Sequence, residues 1–205
     1  MDYNFKTGDI LLFDGNNTKG LMKLFTKLIK KVTKSNIAHI SMILKDPDFI
    51  QPQLKGYYVW ESNFEDSKDP QDGKVKFGVQ ITPLNEIIDK YRGTNGKIYS
   101  RRINCYPYNF STENLKEIHE VVYNKTYDCN INEWIDGAYR IDKKPQKTDR
   151  FWCSALIGYI YTKCGILTPT TDWSILRPSD FSLQYNDELS FNNNISLSIE
   201  TELIL

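Results

Sequence analysis

Short apolar runs punctuate the first half of the chain, and longer stretches with a helical repeat fill the second. Residues 9–13 (DILLF) follow Thr7-Gly8 as an apolar run of strand length and predict a buried strand. Residues 15–18 (GNNT) read as a turn, with Thr18 placed to cap a helix. Over 19–34, Leu21, Phe25, Leu28, Ile29 and Val32 recur between lysines, the pattern of an amphipathic helix. Residues 37–44 (IAHISMIL) form a strand by alternation, with Ile37, His39, Ser41 and Ile43 on one face and Ala38, Ile40, Met42 and Leu44 on the other. In the next strand, 57–63 (YYVWESN), Tyr57, Val59, Glu61 and Asn63 share a face. Two more strands are predicted over 77–82 and 97–103, and a short helix over 84–91 after Pro83.

The second half is predicted to be mostly helical. Ser111 caps a helix over 112–124 that turns Leu115, Ile118, Val121 and Val122 inward, and 131–139 suits another. Residues 151–164 (FWCSALIGYIYTKC) form a strongly apolar helix closed by Gly165, and Pro178 opens a short helix in the tail. No repeat, low-complexity block or linker divides the chain. One α+β domain over 1–205, an antiparallel sheet packed against helices, is the simplest account.

Charge narrows the function classes. The 26 basic and 26 acidic residues cancel, which excludes the basic balance of a nucleic-acid binder. The stretch 19–34 departs locally, with six lysines and no acid, and would suit an anionic membrane surface or the rim of a substrate cleft. The opening residues lack a signal-peptide pattern, and no apolar run has the length of a bilayer span. Cys105, Cys129, Cys153 and Cys164 show no CxxC pair and no metal-ligand spacing. The expectation is an intracellular, cytoplasmic protein with reduced thiols, no metal and no cofactor.

Candidate chemistry gathers on three residues. Cys153 falls at the first turn of its helix, where partial positive charge and free N–H groups favour a thiolate and can hold an oxyanion. A thiolate needs a base, and the base an orienter. His39, inside an almost entirely apolar strand, and Glu61, a carboxylate in an otherwise apolar-aromatic strand, can supply these if their strands are antiparallel neighbours. His119, flanking the apolar stripe of LKEIHEVV, reads as a surface or boundary histidine. Cys105 and Cys164 read as small buried hydrophobes, and Cys129, in a polar loop, is the rival thiol.

The order of these pieces resembles the permuted NlpC-type branch of papain-like proteins, in which the His strand precedes the Cys helix. That branch includes YiiX-like bacterial proteins, poxvirus-encoded relatives and, more distantly, lecithin:retinol acyltransferase-like proteins. TGDILLF, AHISMIL, VWESN, GVQITPL, KTYD at 125–128, FWCSALIGYIYTKCGI and LRPSDF resemble successive segments of the family, from residue 7 to about 182. One departure is Ala155, where relatives often have Glu two residues after the Cys.

The resemblance implies a papain-like fold with Cys153 as nucleophile, His39 as base and Glu61 as orienter, and the N–H groups of Cys153 and Ser154 as oxyanion donors. It implies a thiol hydrolase acting on an amide or peptide bond of a small peptide or amino-acid amide. A second reading keeps the triad and changes the substrate to a lipid, by acyl transfer or ester cleavage at a membrane surface. A third is a non-enzymatic binding or virion protein that retains the fold.

Overall fold

The computed structural model describes residues 3–16, 20–64, 66–129, 139 and 146–204, with backbone alone for 20–25 and 28. Thr18 and, but for residue 139, the helix expected over 131–139 lie outside the described residues.

Ile10–Phe13 (β1) leads into Gly20–Thr33 (α1), then His39–Lys45 (β2), Tyr57–Phe64 (β3), Phe77–Pro83 (β4) and Leu84–Tyr91 (α2). Ile98–Arg101 (β5) and Ile103–Asn104 (β6) precede Thr112–Val122 (α3), Thr126–Tyr127 (β7), Arg150–Phe151 (β8) and Cys153–Lys163 (α4). Three short 3₁₀ turns follow α4, and Ser196–Leu197 (β9) and Thr201–Glu202 (β10) close the chain.

Eight strands make one sheet in the order β10-β5-β1-β2-β3-β4-β7-β8. Every pair is antiparallel except β7 with β8. The period-two pattern of the sequence sorts its faces. Ile40, Met42, Leu44, Trp60 and Ile81 face a core shared with α3 and α4, whereas Leu11, Phe13, Ile43 and Val59 face Leu84, Ile87 and Ile88 of α2. The class is α+β with a mostly antiparallel sheet, as expected.

Two predicted elements differ from what forms. The strand expected over 97–103 breaks at Arg102. There the Ile103 N–H donates to the Asp9 carboxylate at 2.9 Å and the Arg102 N–H to the Ser198 hydroxyl at 2.8 Å, so the chain leaves β1 and pairs instead with β9. The helix expected from 151 begins at Cys153. The Phe151 carbonyl accepts from the Ser62 hydroxyl at 2.6 Å and the Asp128 N–H at 3.2 Å, which holds it in a strand, and Trp152 stays extended.

Helix α4 is buried from Cys153 through Tyr161, which is why its sequence is apolar all round. Gly158 lets the segment around Trp173 pack on it, since a Cβ there would come within 2.6 Å of Leu176. Its C-terminus is a Schellman turn, with Gly165 at φ +68° and the Ile166 N–H donating to the Tyr161 carbonyl at 2.8 Å. Among the described residues, no helix is long and apolar enough to cross a membrane.

Candidate active site

The three residues singled out from the sequence meet at one end of the sheet. Phe13 pairs with His39, the first residue of β2. The ladder between β2 and β3 runs from Lys45–Tyr57 to Met42–Trp60 and stops short of His39. Beyond that point a side-chain bond joins the strands: the His39 Nε2–H donates to Glu61 Oε2 at 2.6 Å. Thr82 Oγ1 donates to the other carboxylate oxygen at 3.3 Å, and Asn63 Nδ2 lies 3.4 Å from Oε2. With Nε2 engaged, Nδ1 is the ring nitrogen left for Cys153, whose side chain is close enough to act on the His39 pKa.

Burial grades the pair. Glu61 is 1% exposed and the His39 side chain 17%, so the imidazole is the end that solvent or a ligand can reach. Burial alone would lower the His39 pKa. The Cys153 charge and hydrogen bond, followed by those of Glu61, outweigh it and raise the value from 6.5 to about 10. The ring therefore keeps its proton through neutral pH, beside the Cys153 side chain.

The start of α4 is tied down on both sides. Besides the Ser62–Phe151 bond, the Ser154 hydroxyl donates to the Leu176 carbonyl at 2.6 Å and the Trp152 indole N–H to the same oxygen at 3.4 Å. The N–H groups of Cys153 and Ser154 belong to the first turn and take no acceptor among the described residues.

The other cysteines differ in setting. Burial, then the charge of Cys105, pushes the Cys164 thiol up to about 12. The direction matches its place at the negative pole of the helix, but the dominant cause is burial. Cys105 is raised by burial and then by Asp9, and the exposed Cys129 by partial burial and then by Asp128. His119 is a boundary histidine, bonded to the Gln71 side chain and ringed by Phe49, Trp60 and Tyr123, with its pKa lowered by burial.

Three further residues border the site and were not singled out. Tyr127 lies alongside Phe151 in the β7–β8 pair and interacts electrostatically with Cys153. Burial raises its phenol well above the ordinary value, so it stays a neutral donor. Gln80 pairs directly with Glu61 across β3 and β4. It is buried, and its Nε2 has no hydrogen-bond partner. The Ser41 hydroxyl, two residues along β2 from His39, is likewise buried and unpartnered. The signal for Gln80 and Ser41 was present in the sequence, as polar residues inside the apolar runs GVQITP and HISMIL.

Among the described residues, no group of three His, Cys, Asp or Glu side chains could hold a metal ion. In comparison with known proteins, no family model and no curated protein matches this chain.

Proposed function

We propose that the chain is a papain-like, permuted thiol hydrolase that cleaves an amide or peptide bond through a thioacyl intermediate. The observation that carries this reading is the Cys153–His39–Glu61 arrangement, with a histidine that keeps its proton through neutral pH beside a cysteine at the positive pole of a buried helix. The Cys153 thiolate attacks the substrate carbonyl carbon. The carbonyl electron pair moves to oxygen, where the N–H groups of Cys153 and Ser154 receive it. His39 already carries its proton, so its first act is as an acid: it protonates the leaving amine as the C–N bond breaks. It then takes a proton from the water that attacks the thioester and returns the pair to its starting state. Glu61 holds the ring by Nε2 throughout. A small peptide or amino-acid amide remains the preferred substrate.

The test is alkylation of the native chain with iodoacetamide at neutral pH, located by mass spectrometry. Cys153 should react first of the four thiols, and His39→Ala should slow it. Faster reaction at Cys129, indifferent to His39, would remove the main support for the hydrolase.

A second reading, transfer or hydrolysis of a lipid acyl group at an anionic surface, draws on the position of α1. That lysine-rich helix joins the end of β1 to the start of β2, the same end of the sheet as His39. Lys27, Lys31 and Lys34 are exposed. Sedimentation with anionic vesicles at low salt should decline when these three become Gln. Equal binding would leave α1 as scaffold.

A further inference from the structure

The sheet carries a row of aromatic residues that ends beside Cys153. Phe64 pairs with Phe77 across β3 and β4, and their rings lie 6.0 Å apart at 79°. The neighbouring Gly78–Thr126 pair brings β7 alongside, and the Phe77 and Tyr127 rings stack at 5.1 Å and 12°. Tyr127 in turn pairs with Phe151, two residues before Cys153. Direct partners in a sheet point to the same face. By alternation from Trp60 and Ile81, that is the face covered by α4.

The two ends of the row differ. Phe151 is buried against the rings of Tyr159 and Trp173. At the other end Phe64 is 48% exposed and Phe77 44%. Single exposed aromatics need no explanation, but two adjoining exposed rings that lead through a half-buried Tyr127 toward a reactive centre do. Strands spaced about 4.8 Å apart give the three residues from β3 to β7 a span of about 10 Å, enough for a benzyl group or a short alkyl chain. The strip has no ionisable group but the Tyr127 phenol, so a charged substituent would be desolvated there without a partner.

We propose that Phe64, Phe77 and Tyr127 form the wall of a substrate subsite that seats an apolar side group next to the carbonyl attacked by Cys153. This rests on the thiol-hydrolase reading and narrows it: the preferred amide carries an aromatic or aliphatic substituent, not a charged one. Position does the selecting, since the wall adds contact area only for a group attached close to the reacting carbon.

Two measurements on the full chain separate the wall from the chemistry. In the first, Cys153 is alkylated with iodoacetamide and with N-benzyl-iodoacetamide. The benzyl reagent should react about tenfold faster, and Phe64→Ser with Phe77→Ser should bring the ratio of the two rates close to one. Equal rates in the unaltered chain, or an advantage that survives both substitutions, overturn the proposal. In the second, the inert N-benzylacetamide is titrated while the ring protons of Phe64 and Phe77 are followed by NMR. Saturable shifts, larger than those with acetamide, are expected, and their absence overturns the wall whether or not Cys153 reacts. Saturable shifts beside an unreactive Cys153 would keep the wall and sink the hydrolase.

Discussion

At the scale of single residues, the site turns on what surrounds the His39 ring. His39 has its pKa raised from 6.5 to about 10 in the folded chain. A group raised on folding contributes stability that is fully present below its unfolded value and is lost as pH climbs through the folded one. The His39 contribution should therefore be complete below about pH 6.5 and disappear toward pH 10. An NMR titration of the His39 ring should find its midpoint near 10, and Cys153→Ala should lower that midpoint, because the largest factors raising it come from Cys153. An unshifted midpoint in the variant would show that Cys153 does not act on His39. Gln80 offers a second test. A buried donor without a partner is a cost of about 1–3 kcal/mol. Gln80→Met should thus leave the urea midpoint equal or higher. If the amide also serves the reaction, turnover of an amide substrate should fall in the same protein. Loss of stability instead would show that Gln80 is paired in solution and structural.

At the scale of elements, small contacts decide where strands and helices stop. Gly78 admits β7: a Cβ there would overlap the Lys125 carbonyl and the Thr126 backbone, which cannot swing aside as a side chain can. Gly78→Ala should destabilise the fold by about 1–3 kcal/mol, as overpacking does. It should also displace Tyr127 from Phe77, seen as loss of the mutual ring-current shifts of those two residues. Ser62 plays the matching part for α4, since its hydroxyl holds the Phe151 carbonyl in the sheet. The periodicity of the sequence placed β2, β3, β4, α2 and α3 close to where they form, because each buries one face. It misjudged the beginning of α4 and the continuity of 97–103. Both depend on bonds to distant partners, Ser62 in one case and Asp9 and Ser198 in the other, and local pattern carries no trace of those.

At the scale of the whole molecule, the tail closes the sheet through a buried cation. Arg101 is 1% exposed and donates from Nε to the Ser198 carbonyl at 2.6 Å, from Nη1 to the Phe181 carbonyl at 2.8 Å and from Nη2 to Asn186 Oδ1 at 2.7 Å. Burial lowers its pKa, a sign that its charge is held by dipoles more than by a carboxylate. Arg101→Met would strip the donor from at least two carbonyls at about 1–3 kcal/mol each. A drop of more than about 3 kcal/mol in urea-unfolding stability is expected, with β10 leaving the edge of β5 first by hydrogen exchange. A near-neutral change would mean that the tail is held elsewhere. The sequence by itself determined the class, the faces of β2 and β3, and the three residues that carry the candidate chemistry. Periodicity, capping and the oddity of a lone His and a lone Glu in apolar strands are local signals. Only the tertiary structure decided that β2 and β3 are neighbours with an open end at His39, that the ring carries its proton, and that an aromatic row crosses four strands to reach Cys153. Register, burial and charge coupling are properties of pairs far apart in the chain, and no single segment encodes them.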